Sequence, residues 1–514
     1  MRSQTAWSQR PGPPGAAGRL RRLDPHYGAT TFELLPVEGD QHIVRPLGQL
    51  QINGFDADFS APLPLYFRLP VQAMRGSATP NLALCLGLLS FCLSMPVIAQ
   101  LSEVEERIVR YVEGHQAEAL AFLERAVNVN SGTMNFAGVE EVGRIFRVEL
   151  DGLGFETEWI DGSGFGRAGH LVGERSGRGP HLLLIGHLDT VFEPDSPFQR
   201  YEPIGEDKAR GPGVTDMKGG NVVIVQALKA LDDAGVLDDL RLSVVLTGDE
   251  EKSGRPLSLA RKALRDAAKG ADAAIGFEDG DGDPETAVIA RRGSTSWRIE
   301  ITGVPAHSSQ IFQGEVGAGA IYEAARILTT FYDELRSERD LTFNPGVILG
   351  GTEVEFDPGL AHGSAFGKNN VVAEHATITG DLRAHSPAQY ARAKEKMEAI
   401  VAEHLPRTKA ELTFSDGYPP MAPSDGNRSL LTLYDEVSRD LGYGPVAAVD
   451  PRKAGAADVS FVADLVPQVL DGIGLMGTGG HTVDETADLT TLPMQTQRAA
   501  ILLYRLSQTL EGRP

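Results

Sequence analysis

Cysteine is nearly missing from this chain of 514 residues: there are two, Cys85 and Cys92, and both lie inside its most apolar run. Outside that run no thiol is available, which suits an oxidising compartment. Basic residues are scarce as well. Lys and Arg total 48 against 70 Asp and Glu, a formal charge of −22, and this excludes a nucleic-acid partner, because phosphate backbones need a basic surface. No Gly-x-Gly-x-x-Gly follows the first apolar strand, which argues against a nucleotide-binding Rossmann protein. Beyond residue 100 there is no internal repeat or low-complexity segment; only the Pro/Gly/Arg-rich start of the chain is biased. What remains, 41% hydrophobic residues with 58 Gly and 31 Pro, reads as an ordinary α/β protein of two or three domains, or one large domain carrying an insertion.

The apolar run, Asn81 to Ala99, has the form of a secretory signal. Met74-Arg75 supplies a start and a positive n-region, Leu82 to Leu93 the h-region, and Val97-Ile98-Ala99 a small-residue cleavage site before Gln100. Leu84 and Phe91 precede the two cysteines where lipid attachment needs a small residue. The other reading is a genuine N-terminal arm followed by a membrane anchor or a buried helix. The run is short for a membrane span and carries Pro96, so the signal reading is preferred, with translation starting at or near Met74.

From Leu101 the pattern becomes regular. Val104, Ile108, Val112, Leu120, Leu123 and Val127 recur at helical spacing and predict one or two amphipathic helices over 102–128. Short β-type runs follow at 155–160, 181–188, 241–246 and 273–277, alternating with helical stretches at 217–237 and 257–268. Such alternation predicts a mostly parallel sheet covered by helices. After Ala290 the register changes: a strand at 295–302, a helix at about 316–335, a strand at 376–383 and a helix at 386–403 predict a small inserted α+β domain. Doubly wound features return after Pro419 and end in a helix from about Pro493 to Leu510.

Five strand ends or turns carry chemistry. Leu182-Leu-Leu-Ile-Gly-His187-Leu-Asp189 ends an apolar strand in His-x-Asp, at the sheet edge where open α/β folds bind ligands. Alternate strand residues share a face, so Asp189 can orient the His187 ring. Taken alone the pair is more often structural. Gly211-Pro-Gly-Val-Thr-Asp216-Met-Lys-Gly-Gly220 delivers one carboxylate and opens a helix; a plain N-cap is its bland alternative, and its spacing is not that of a phosphate loop. Leu246-Thr-Gly-Asp-Glu250-Glu251 sets adjacent carboxylates after a strand, where a cation or proton must offset them unless the loop is simply solvated. Ile275-Gly-Phe-Glu278-Asp279 and Met476-Gly-Thr-Gly-Gly-His481-Thr-Val-Asp-Glu485 complete the group. His, Asp, Glu, Glu and His suit a pair of zinc ions.

This order and these local sequences resemble the di-zinc metallopeptidase and aminoacylase family that includes glutamate carboxypeptidase, acetylornithine deacetylase and succinyl-diaminopimelate desuccinylase. The resemblance spans about residues 105–510, and Asp249-Glu-Glu-Lys252 and Gly276-Phe-Glu278 are most similar to the secreted glutamate carboxypeptidase branch. It implies two zinc ions per chain, with cobalt or manganese as substitutes: His187 and Glu278 on one, Glu251 and His481 on the other, and Asp216 bridging both. It further implies that Asp189 supports His187, that Glu250 is the general acid/base, and that the Asp216–Met217 peptide is cis. In the inserted domain, Gly303-Val-Pro-Ala-His307 matches a histidine that reaches the partner subunit's site in a homodimer. Asn370 and Arg383 match substrate-contacting positions. Two departures stand out. Gly417-Tyr418-Pro419 replaces a Gly-Arg-Pro stretch, and Asn370-Val-Val-Ala373 replaces Asn-x-x-Pro, which loosens the expected preference for C-terminal glutamate.

The sequence therefore predicts an α/β di-zinc exopeptidase of the carboxypeptidase type, hydrolysing the amide next to a free carboxylate in a small peptide or N-acyl amino acid. Its rivals are a deacylase of small N-acyl metabolites and a non-catalytic metal-binding module, which would be expected to have lost a ligand or the base. The expected order is 1–73 a misassigned or disordered extension, 74–99 a signal peptide, 100–292 and 419–514 the two catalytic segments, and 293–418 a lid and dimerisation domain. The protein would be periplasmic or secreted, with no stable membrane anchor after cleavage. N-terminal sequencing of the native protein should begin at Gln100; an intact start upstream of Met74 contradicts the export reading.

Overall fold

The computed structural model describes residues 101–510, apart from residue 360, and three strands nearer the N-terminus. Those strands, Arg19–Asp24, Tyr27–Pro36 and His42–Leu47, pair antiparallel in that order within a unit of their own, residues 1–94. The signal-like run at 74–99 lies outside the described residues. Among the described residues, no helix is long and apolar enough to cross a membrane.

The opening amphipathic pattern resolves into two helices, Glu103–Gly114 and Gln116–Val127, which break at His115. The first starts with a capping box: Ser102 Oγ accepts from the Glu105 N–H, while the Glu105 carboxylate accepts from the Ser102 N–H. Glu105 also receives Arg505 at 2.6 Å, which ties this helix to the last one, Thr491–Leu510. Both pack around Lys218–Asp233, a helix buried over almost its whole length.

The central sheet has six strands in the order Val469–Leu470, Ala273–Gly276, His181–His187, Arg241–Thr247, Gly169–Arg175, Glu156–Asp161. The first four are mutually parallel; Gly169–Arg175 pairs antiparallel with Arg241–Thr247, and Glu156–Asp161 antiparallel with Gly169–Arg175. Every residue of His181–His187 is buried. A Leu-Leu-Leu-Ile run without alternation fits this place, because helices cover both faces of a parallel sheet. Register sets His187 beside Thr247 and Gly276 beside Ile185, so the three parallel strands end along one edge. The Phe136–Gly152 helix and the Gly169–Arg175 strand are additions to the sequence reading. After Pro419, Asp458–Phe461 forms a 3₁₀ turn and Val469–Leu470 supplies the sheet's edge strand.

Between Thr295 and Asp416 a second, four-stranded antiparallel sheet forms, in the order Thr342–Gly351, His375–Arg383, Thr295–Thr302, Lys409–Asp416. Along Thr295–Thr302 alternate side chains are buried, Trp297, Ile299 and Ile301 among them. They pack with Ile327 and Phe331 of the Ala320–Leu335 helix and Met397 of the Pro387–Ala402 helix, in a hydrophobic cluster of their own. The sequence reading held two of these four strands. Thr342–Gly351 escaped it because Pro345 and Gly346 interrupt the pattern, and the register shifts there.

Leu184 is fully buried in the middle of the strand that ends at His187. Leu184→Ala should therefore lower the unfolding free energy by about 2–5 kcal/mol, measured by equilibrium denaturation. An unchanged transition would contradict its central packing.

Candidate metal centre

Each of the five sequence-predicted ligands follows a strand or turn that fixes its backbone. His187 closes its strand, and its carbonyl accepts from Asn221 Nδ2 at 2.6 Å, which joins strand end to helix. Asp216 lies just before the Lys218–Asp233 helix, and the peptide bond that follows it, Asp216–Met217, is cis, as the resemblance implied. Gly219 and Gly220 let that helix start close in: a Cβ on Gly220 would lie 1.9 Å from the Phe277 carbonyl oxygen. The missing side chains thereby bring Asp216 up to Glu278. His481 adopts a left-handed backbone, φ 61°, uncommon for a residue with a Cβ and concentrated at functional sites.

These side chains meet. His187 Nε2 lies 3.0 Å from Asp216 Oδ1 and 3.6 Å from Glu278 Oε1. His481 Nε2 lies 2.9 Å from Asp216 Oδ2 and 3.1 Å from Glu251 Oε2. Two triads result, His187–Asp216–Glu278 and Asp216–Glu251–His481, each with its ligand atoms within 4.8 Å of one another. They share Asp216, one oxygen facing each histidine.

Burial pushes Glu250 and Glu278 well above the usual carboxylate range and Glu251 up to about 7, and neighbouring carboxylates add to the push. Asp216 behaves oppositely: burial opposes its ionisation, yet the hydrogen bonds from His187 and His481 hold it below the ordinary value. Hydrogen bonds to Asp216 and Glu251 raise His481 to about 11. His187 is raised despite its burial, by Glu278, Asp189 and Asp216. So many carboxylates gathered in low dielectric retain protons unless cations replace them. Two imidazole nitrogens and three carboxylates, in triads with a shared member, fit a pair of divalent cations.

Around the two triads stands a set of buried carboxylates, members of neither, that accept backbone N–H groups. Asp189 is fully buried. The acceptor nearest His187 Nδ1 is the Asp189 carbonyl at 3.0 Å, with the carboxylate at 3.5 Å. The carboxylate itself accepts from Thr133 Oγ1 at 2.6 Å and from the N–H groups of Glu250 and Glu251 at 3.0 and 3.2 Å. Asp189 thus fixes the Glu250–Glu251 loop as well as the ring. Glu485 was quoted in the sequence motif but given no role. Its carboxylate accepts from the N–H groups of Gly213, Thr215 and Asp216 at 3.0, 2.9 and 3.2 Å and pins the bridging turn. Asp471, which had no sequence signal, accepts from the Glu278 N–H at 3.4 Å and from Arg291 at 2.7 Å.

Three residues singled out from sequence stand apart from this cluster. His307 is exposed, with Nδ1 2.9 Å from Ser309 Oγ. It pairs through backbone with Val371, so it and Asn370 lie together on the inserted sheet's flank. Arg383 ends its strand in an ion pair with Asp381 at 2.9 Å. Among the described residues, none of the three contacts a ligand of either triad. Tyr418 is turned away from solvent, and its hydroxyl donates to the Glu250 carbonyl at 2.7 Å.

Glu485→Ala should release the Asp216 turn and weaken metal binding by about 10–100-fold, the usual scale for a residue that orients a ligand. Competition with a chelating dye measures this, and unchanged affinity would show that the turn holds itself.

Comparison with known proteins agrees with this geometry. The model of peptidase family M20/M25/M40 matches residues 183–505. Carboxypeptidase G2 from Pseudomonas sp. (strain RS-16) is 27% identical over 402 residues, 76% of this chain and 90% of the relative. Succinyl-diaminopimelate desuccinylase from Acidiphilium cryptum is 26% identical over 359 residues, 67% and 87% of the two chains. The fold matches that of aminopeptidase PepT from Bacillus cereus with a TM-score of 0.61 at 19% identity, over 76% of this chain and 98% of that one. With its matching sequence model, its fold and its paired ligand triads, this chain belongs to peptidase family M20/M25/M40 and is a metallohydrolase.

Proposed function

We propose that this protein is an exported, zinc-dependent exopeptidase of the carboxypeptidase type, which hydrolyses the amide bond next to a free carboxylate in small peptides or N-acyl amino acids. The observation that carries the reading is Glu250. It stands next to Glu251 yet belongs to neither triad, which leaves its carboxylate free for proton transfer. Two zinc ions, held by His187, Glu278, Asp216, Glu251 and His481, would supply Lewis acidity toward water and the scissile carbonyl. Glu250 takes the water proton and hands it to the leaving amine, and the burial that raises its pKa suits both halves of that task. Arg383 and Asn370 are assigned to the substrate carboxylate. Tyr418 brings no positive charge to the place of the family arginine, so the tolerated side chain is broader than glutamate.

A second reading, a deacylase of small N-acyl metabolites, is favoured by the similarity to the desuccinylase; the same residues would serve it. A non-catalytic binding module has less support, because every expected ligand and Glu250 are in place. Export rests on the signal-like run at 74–99. We assign His307 to the site of a partner subunit in a homodimer, where a donor aimed at the oxyanion is worth about 3–4 kcal/mol.

Glu250→Gln should keep its metal and lose turnover by about 10²–10⁴-fold, whereas Glu251→Gln should lose metal. Elemental analysis beside single-turnover kinetics separates the two, and identical behaviour would refute the division of roles. Inactive His307→Ala and Glu250→Gln proteins, mixed under conditions that exchange subunits, should recover part of their activity, since each mixed dimer holds one complete site. No recovery in proven heterodimers would place His307 outside the reaction.

A further inference from the structure

The chain passes between the two sheets through a pair of short antiparallel segments. Arg291 and Met421 exchange both backbone hydrogen bonds at 2.9 Å, the Ser294 N–H reaches the Tyr418 carbonyl at 2.8 Å, and the Gly417 N–H reaches the Ser294 carbonyl at 3.1 Å. These segments are the hinge on which the inserted domain hangs. The Tyr418 ring leaves the hinge and packs against Phe461, centroids 4.9 Å apart, with the Arg261 guanidinium 5.7 Å from its own centroid.

Arg261 is a buried cation with a charge on either side. Its side chain is 1% exposed and pairs with Asp249 at 2.5 Å and Asp458 at 2.9 Å. It also donates to the Asp249 carbonyl at 3.2 Å, to Ser253 Oγ at 3.1 Å and to the Tyr418 hydroxyl at 3.0 Å. Asp249 in turn accepts from the Gly254 N–H at 2.7 Å. Arg261 thereby holds both flanks of the loop that carries Glu250 and Glu251. The middle of the loop is held by Tyr418: its hydroxyl, accepting from Arg261, donates onward to the Glu250 carbonyl at 2.7 Å. The Glu250 N–H meanwhile donates to Asp189 at 3.0 Å. Among the described residues, no hydrogen bond reaches the Glu250 carboxylate itself, so its aim is set by a backbone clamped between Asp189 and Tyr418.

We infer that Tyr418 is a positioning residue, which aims Glu250 and fastens it to the hinge of the inserted domain through the column Glu250–Tyr418–Arg261. This rests on the role of Glu250 given above. The position where the resemblance led to a substrate-binding arginine is, in this chain, part of the support of the base. A hydroxyl that donates to one buried group while accepting from a buried cation belongs to a chain of mutually polarised hydrogen bonds, stiffer than its single links.

Tyr418→Phe keeps the ring and removes only the hydroxyl. Expected is a fall in kcat of about tenfold, the scale of one lost hydrogen bond to a buried polar group, with KM unchanged and metal content intact. In a Glu250→Gln background the same substitution should lower kcat no further, because it acts through the base. Incorporating 3-fluorotyrosine at position 418, which retains ring and donor, should preserve turnover; it also serves if Tyr418→Phe does not accumulate as folded protein. Wild-type kcat in Tyr418→Phe, an equal loss on top of Glu250→Gln, loss of metal, or an effect on KM alone would each overturn the inference. If Glu250→Gln itself keeps full turnover, the reading of the base falls and this inference with it. A normal loss in Glu250→Gln beside a silent Tyr418→Phe sinks the inference alone.

Discussion

A single carboxylate between two imidazoles governs this site. Asp216 turns one oxygen to His187 and the other to His481, while Glu250, Glu251 and Glu278 gather around it in low dielectric. Such a concentration of acid at the edge of a sheet is unstable without positive charge. A pair of divalent cations held by the two triads would supply that charge. Fold and function are linked here by charge balance: the architecture brings acids together that repel, and their compensation is the cofactor.

Holding those acids in place falls to other acids that belong to neither triad. Asp189, Glu485 and Asp471 each accept backbone N–H groups from a neighbouring ligand loop. A buried carboxylate satisfied by several N–H donors is tolerated where a bare one is not, and it fixes the loop more firmly than packing alone. Arg261, between Asp249 and Asp458, does the same for the Glu250 loop with the charges reversed. Three of the candidate ligand segments, those of Asp216, Glu251 and Glu278, are thus braced by charged side chains from distant parts of the chain.

The sequence shows the ligands more readily than their braces. His187, Asp216, Glu251, Glu278 and His481 each follow an apolar strand or a glycine-rich turn, and that placement made them legible one at a time. Asp471 and Arg261 sit in stretches with no such punctuation, and their roles exist only through partners far away in sequence. Glu485 stands in the His481 motif with no role legible from it, since its partners Gly213, Thr215 and Asp216 lie far away in sequence. Among the elements, the continuous Leu-Leu-Leu-Ile run was legible as a central strand, and the alternation around Trp297 as a half-buried one. Thr342–Gly351 hid behind Pro345 and Gly346. At Tyr418 the sequence shows that a family charge is gone, but not that the new side chain points to Arg261 and the Glu250 carbonyl.

Calorimetric titration of metal-free protein with zinc, comparing the wild type with Asp216→Asn, tests the central claim most directly. The account predicts two ions per wild-type chain and the loss of high-affinity binding at both positions from this one substitution, because Asp216 belongs to both triads. One ion per wild-type chain, or an Asp216→Asn protein that still binds one ion with undiminished affinity, would contradict it.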